Sequence, residues 1–163
     1  MRSVFALAAA SLVAMLLQTT LLSALPRVPV VPDLMLVLAV YLGVRHRGVG
    51  GACGAFLLGY FLDTFSGTLL GMHAFGLTAA YVATTGVARH LWMERGLPLM
   101  ATVFFSGCVR GLAAAALGAL VAARAPVWEY ILRYGFLEAA VAALVAPAVF
   151  ASLAWEKRFL GAS

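Results

Sequence analysis

Apolar runs long enough to cross a lipid bilayer fill most of this 163-residue sequence. Residues 97–123 hold a single charge, Arg110, and similar runs are separated only by short stretches of charged, proline or turn residues. Charged residues make up 10% of the chain and hydrophobic residues 64%, whereas soluble domains carry about a quarter charged residues. The sequence therefore predicts an all-α integral membrane protein.

The breaks between the apolar runs predict a six-helix transmembrane bundle, at roughly 20 residues per crossing. All six spans belong to one predicted transmembrane domain, residues 1–163. They cover about residues 3–25, 32–44, 48–64, 69–88, 97–123 and 130–155. The second span is short, so the residues just before it are expected to continue the crossing as extended chain covered by neighbouring helices. The first is longer than a signal-peptide core and is expected to be a retained helix.

The basic residues favour an orientation with both termini in the cytoplasm, because cytoplasmic segments carry more Lys and Arg than outer ones. With the N-terminus inside, seven basic residues fall inside and three outside. The seven are Arg2, Arg45, Arg47, Arg89, Arg95, Lys157 and Arg158, and the three are Arg27, Arg124 and Arg133. They occur singly or in short clusters between apolar runs, so no nucleic-acid partner is expected. The turn between spans three and four is placed on the outer side.

An aspartate lies near this outer turn, at the end of span three, with no basic residue close to it in sequence. Asp63 has three interpretations: a carboxylate that accepts backbone N–H groups from the next helix, whose dipole favours negative charge, a group that binds a ligand or partner, or a proton carrier. Ser66 and Gly67 supply turn chemistry. His73 and Gln18 are candidates for an outer polar cluster with Asp63, and His73 is otherwise a polar residue of the bundle.

Small residues recur at intervals of four, the spacing that lets helix backbones approach closely in a membrane. On spans three to five the predicted packing positions are Gly50, Gly54, Gly59, Gly71, Gly107 and Gly111. On span one the alanines Ala6, Ala10 and Ala14 form a smooth face. That face either receives the helix of another protein or packs within the bundle.

Two opposite charges lie within the last two spans, which a short loop makes neighbours. Arg110 and Glu138 differ in depth by about 8 Å at the helical rise, within reach of a long arginine side chain. Charges at membrane depth usually face the bundle interior and pair with one another. We therefore predict an intramembrane Arg110–Glu138 pair. The alternatives are that Arg110 binds backbone carbonyls or another carboxylate, or that the charges form a functional gate.

No catalytic or metal-binding pattern stands out in the sequence. The three histidines lack helical metal spacing, and no nucleophile motif is present. Cys53 and Cys108 lie in apolar runs and are expected to act as small buried hydrophobic residues. No metal or cofactor is therefore expected, and an enzyme is the least favoured class of function.

The run from Gly54 to Ala74 resembles the signature of the rod shape-determining protein MreD family. It holds the letters GAFLLG, then Asp63, the Ser-Gly pair and Gly71. Upstream, Pro-Asp-Leu opens a short apolar helix that ends in a basic turn, which also resembles the family. One departure is the Thr-Leu-Leu sequence at 68–70, where family members often have a proline.

The resemblance implies a non-enzymatic subunit of the bacterial inner membrane, within the elongasome that builds the lateral peptidoglycan wall and sets rod shape. Its implied partner is MreC, a bitopic membrane protein, and indirect partners are the MreB filament, RodA and a class B penicillin-binding protein. The family is similar in fold to the substrate-binding subunits of energy-coupling factor transporters. The alternative is therefore a binding subunit for a vitamin-type small molecule, in which the alanine face of span one docks the coupling protein.

Overall fold

The computed structural model describes residues 33–66, 70–89, 96–121 and 127–160, and most of these residues lie in helices. Five helices occur within them: α1 (Leu34–Arg45), α2 (Val49–Ser66), α3 (Met72–Val87), α4 (Gly96–Val121) and α5 (Val127–Leu160). The predicted first span, residues 3–25, lies outside the described residues. The count of six helices is therefore not supported beyond these five.

Three stretches of helix are long and apolar enough to cross a membrane: Val49–Ser66, Gly96–Leu120 and Gly135–Ser152. Large apolar side chains such as Phe56, Leu57 and Leu112 point outward from these helices. Outward apolar faces match a lipid solvent, because lipid tails are as apolar as the side chains that meet them. The described helices thus have the character of a membrane protein.

The short helix α1 forms the core of the bundle. Its sequence, LMLVLAVYLGVR, is apolar on every side, as expected for a fully surrounded helix. No residue from Leu34 to Leu42 is more than 9% exposed, and α1 packs against each of the other four described helices. Its 12 residues reach about 18 Å at the helical rise, which is shorter than the hydrocarbon core of a bilayer at about 30 Å.

The longer helices surround α1 in chain order, with α2 against α3, α3 against α4 and α4 against α5. The last helix extends beyond its predicted span of 130–155 at both ends and contains Pro147. Charged and polar residues mark the edge of the hydrocarbon, but helical hydrogen bonds continue past that edge. The predicted boundary of span six therefore falls short of the helix ends.

Candidate functional site

Asp63 caps the next helix along the chain. The carboxylate is buried, at 2% exposure, and its two oxygens accept the backbone N–H groups of Gly71, His73 and Ala74 at 2.9, 3.0 and 3.1 Å. These groups belong to the first turn of α3, whose N–H groups have no partner within the helix. The N-cap residue itself is Gly71, with a positive φ of 99° and no side chain to bond them. The carboxylate of Asp63, on the neighbouring helix α2, accepts these N–H groups in its place.

Two further contacts hold α2 and α3 together at this end. The His73 ring donates from Nδ1 to Asp63 Oδ1 over 2.9 Å. Gly59 lies directly against the backbone of Ala74, so that a Cβ at this position would sit 2.6 Å from the carbonyl oxygen of His73. The small residue lets the two backbones come close enough for the Asp63 hydrogen bonds to form.

A buried ion pair joins the central helix to α4. Asp33 is the N-cap of α1, and its Oδ1 accepts the N–H of Leu36 at 3.0 Å. Its second oxygen, Oδ2, pairs with Nη1 of Arg110. Only 6% of the Asp33 side chain and 19% of the Arg110 side chain are exposed. The aspartate therefore serves both as a helix cap and as the counter-ion of an intramembrane arginine.

The observed ion pair corrects the leading prediction for Arg110. Among the described residues the arginine pairs directly with Asp33, which is the alternative of another carboxylate, and not with Glu138. Glu138 on α5 adds a favourable Coulombic interaction with Arg110. The stem of the arginine crosses Gly76 of α3, where a Cβ would lie 3.1 Å from the arginine Cγ. Four helices thus contribute to the surroundings of this one charge.

A third set of polar contacts lies at the end of the bundle opposite Asp63. The Tyr81 hydroxyl bonds to the carbonyl oxygens of His46 and Gly48 at 3.0 and 2.9 Å and lies 3.1 Å from the Gly48 nitrogen. Arg47 donates from Nη2 to the carbonyl of Ala88, at the end of α3, over 2.7 Å. The turn between α1 and α2 is therefore tied to α3.

The predicted glycine positions differ in what they do. Gly59 and Gly107 are close-packed, and a Cβ at Gly107 would lie 2.6 Å from the Cβ of Ala139. Gly54 faces Leu42, at 3.2 Å from an added Cβ. Gly71 is needed for its positive φ, and Gly111 is partly buried on α4.

Gly50, predicted as a packing position, has no packing partner among the described residues. A Cβ at Gly50 would have no neighbour within 4 Å, whereas one at the next residue, Gly51, would meet the His46 carbonyl and the Tyr81 hydroxyl. Small residues spaced by four identify a smooth stripe on a helix, but they do not show which neighbouring segment the stripe faces. Among the described residues, the close contact at this end of α2 lies at Gly51, one residue after the predicted position.

Several candidate residues lie outside the described residues or at exposed positions. Gln18, Gly67 and the alanine face of Ala6, Ala10 and Ala14 lie outside the described residues, so their roles stay predictions. Ser66 ends α2 on an exposed surface. Cys53 is exposed and Cys108 half-buried, although both were expected to be buried.

Sequence reasoning did not name Asp33, Tyr81 or Arg47 as site residues. Asp33 had a signal, because an aspartate after a proline at the start of an apolar run is typical of a helix N-cap. Tyr81, which lies within α3, and Arg47, which lies in the turn after α1, had none. Their partners are 33 to 41 residues away in sequence, so only the packing of α3 against that turn reveals them.

A groove of about 390 Å³ opens beside the Asp63 end, between α2, α3 and α4. Its walls are mostly apolar, with Phe56, Leu70, Phe75 and Leu117 among them. The hydroxyl of Thr78, which also lines it, donates to the carbonyl of Ala74 over 2.7 Å. The groove therefore suits an apolar occupant.

The fold and the site together define an all-helical membrane protein whose polar side chains join one helix to another. The chain belongs to the rod shape-determining protein MreD family, whose sequence profile matches residues 1–154. This is a family of structural, shape-determining membrane proteins. No curated protein and no solved structure gives a significant match. The expected likeness to subunits of energy-coupling factor transporters is therefore not supported.

Proposed function

We propose that this protein is a non-enzymatic subunit of the bacterial cell-elongation machinery in the inner membrane. It helps to determine rod shape and lateral wall synthesis by binding an MreC-like bitopic partner. Through that partner it acts with the MreB filament, RodA and a class B penicillin-binding protein. The observation that carries the proposal is the family match over residues 1–154.

The contacts within the bundle are consistent with a scaffold. Among the described residues, every buried side-chain nitrogen or oxygen has a hydrogen-bond partner within the protein. Asp63 and Asp33 both bond to groups of other helices or of their own helix start. Fully satisfied polar networks make a core rigid and specify one arrangement of its elements. A rigid bundle gives a partner helix a surface of constant shape.

The proposed orientation has both termini in the cytoplasm. Arg45, Arg47 and Arg89 gather at one end of the bundle, where α1 and α3 end, while Asp63 lies at the other end. An excess of arginine at one end is typical of the cytoplasmic side. Cysteine labelling of intact cells, after removal of Cys53 and Cys108, tests this. An impermeant reagent is expected to label Thr68→Cys, and labelling of Arg95→Cys instead would reverse the orientation.

The proposed docking surface is the alanine face of span one. Ala10→Leu places a bulky side chain where close approach is needed, without adding a polar group. We expect recovery of an MreC-like partner in mild detergent to fall while the bundle stays folded. Ala116→Leu is the matched control, because Ala116 is exposed on α4. Normal recovery with Ala10→Leu would assign the alanines to packing within the bundle.

The alternative function, a binding subunit for a vitamin-type transporter, gains no support from the groove. A vitamin-type ligand needs convergent polar groups for specificity. The groove is walled mainly by apolar side chains, and its Thr78 hydroxyl is bonded to the backbone. The two functions are distinguished by purifying the protein in mild detergent. Recovery of an MreC-like partner without an ATPase would favour the scaffold over the transporter.

A further inference from the structure

Two exposed arginines from different parts of the chain, Arg47 and Arg89, lie at the end of the bundle opposite Asp63. Arg47 in the turn between α1 and α2 bonds to the carbonyl of Ala88 over 2.7 Å, and Arg89 is the next residue. Tyr81 holds this turn in place through its hydroxyl. These contacts hold Arg47 beside the residue that precedes Arg89, and the two residues together are called the arginine patch.

The patch carries positive charge that the described side chains do not neutralise. Within the described side chains there are three carboxylates. Asp33 pairs with Arg110, Asp63 caps α3, and Glu138 interacts with Arg110. A guanidinium has five N–H donors, so the bond from Arg47 to Ala88 leaves donors for a ligand. The chemistry of the patch favours an anion, and a phosphate matches the planar donor fork of arginine.

An apolar stripe begins next to the patch and follows the outer face of α2. Val49 is 81% exposed, and exposed residues follow at helical spacing: Cys53, Phe56, Leu57 and Tyr60. From Val49 to Tyr60 the stripe covers about 17 Å at the helical rise. One leaflet of a bilayer contributes about 15 Å of hydrocarbon. The stripe therefore has the length of a single leaflet.

We propose that the arginine patch binds the phosphate of an anionic phospholipid whose acyl chain lies along the apolar stripe of α2. An acidic peptide or free phosphate would contact the arginines alone and would make no contact with the stripe, which otherwise faces bulk lipid. A phospholipid uses both, because its charged headgroup is joined to a hydrocarbon chain and the arginine patch adjoins the apolar stripe. The bound lipid would fix the rotation of α2 at the membrane surface.

Native mass spectrometry of the full chain in neutral detergent tests the proposal, with phosphatidylglycerol and phosphatidylcholine as probes. The test variant is Arg47→Gln with Arg89→Gln. Each arginine near a membrane surface contributes enough to change affinity roughly fivefold, so we expect roughly 30-fold weaker binding of phosphatidylglycerol. Binding of phosphatidylcholine is expected to stay unchanged. The matched control, Arg27→Gln with Arg124→Gln, removes the same charge from segments predicted to face outside and is expected to bind normally.

Because Arg47 also bonds the end of α3, Arg89→Gln alone is measured beside the double variant, with an expected loss of roughly fivefold. An equal loss in the control would overturn the proposal, since net charge and not the patch would then govern binding. Stabilisation of the wild type by inorganic phosphate to the same extent as by phosphatidylglycerol would also overturn it. So would unchanged binding of phosphatidylglycerol by the folded Arg89→Gln variant.

Discussion

Two buried aspartates lie at the same end of the bundle and are stabilised in different ways. Asp63 accepts hydrogen bonds from backbone groups 8 to 11 residues later in the chain. Asp33 accepts one backbone hydrogen bond and pairs with the guanidinium of Arg110 on another helix. The first needs acceptor atoms near the start of a helix, and the second needs a negative charge. Asp63 therefore acts as a helix cap, whereas Asp33 acts as both a helix cap and the counter-ion of an arginine.

The largest effect is expected from removing the charge of Asp33. In Asp33→Asn the amide oxygen still accepts from Leu36, but Arg110 loses its counter-ion. Stranding a buried charge costs about 3–5 kcal/mol. Asp63→Asn keeps one of two acceptor oxygens, and we expect it to cost about 1–3 kcal/mol. Thermal unfolding in mild detergent measures both.

The control for this comparison is Asp63→Leu, which removes both acceptors and should be less stable than Asp63→Asn. Equal losses for the two asparagine variants would show that the distinction between a cap and a counter-ion is wrong. An Asp63→Asn variant that folds as well as the wild type but fails to support its partner complex would make the charge of Asp63 functional.

A smaller loss is expected where the backbones of α2 and α3 meet. In Gly59→Ala the added methyl group meets the backbone of Ala74, and overpacking of this kind typically costs about 1–3 kcal/mol. Gly50→Ala is the matched control, because a Cβ there has no described neighbour within 4 Å. Alanine favours a helix over glycine, so the control should be neutral or stabilising. A harmless Gly59→Ala variant would mean that α2 and α3 do not touch there.

The smallest effect is expected at the opposite end of the bundle. Tyr81→Phe removes the hydroxyl that bonds to His46 and Gly48 and keeps the ring. A net hydrogen bond contributes about 0.5–1.5 kcal/mol, and the exposed turn lets water replace part of it. Hydrogen exchange of the turn amides should speed up while the Asp63 end stays protected. Faster exchange at both ends would show that the two ends are not independent.

The two aspartates also show what sequence can and cannot reveal. The helix-capping interpretation of Asp63 needed only local reasoning, because its partners lie in the next helix after a short turn. The partner of Arg110 was placed first on the adjacent span, at Glu138, because neighbouring spans are the only contacts that short loops guarantee. Its actual ion pair crosses to the central helix. That contact depends on α1 being surrounded by all the other described helices.

Glycine spacing had the same limit. A repeat of four shows that a helix has a smooth stripe but not which neighbour meets it. Gly59 and Gly107 are in tight contacts. The spacing did not identify Gly51 and Gly76, which are also in contact with other helices or turns, and Gly50 has no neighbour among the described residues. The helix bounds were predicted to within a few residues for α1 to α4, because apolar runs and charges mark them directly. Contacts between helices depend on rotation about the helix axis, which composition does not record.

Arg110 stabilises the bundle mainly through Asp33, and Glu138 contributes less. Two double-mutant cycles measured by detergent thermostability distinguish these contributions: Arg110→Leu with Asp33→Asn, and Arg110→Leu with Glu138→Gln. We expect the Asp33 double variant to lose far less stability than its two single variants together, because removing both charges leaves none stranded. We expect a smaller coupling energy between Arg110 and Glu138. Additive losses for Arg110 and Asp33, or a coupling energy with Glu138 that equals or exceeds that with Asp33, would show that Asp33 is not the main counter-ion of Arg110.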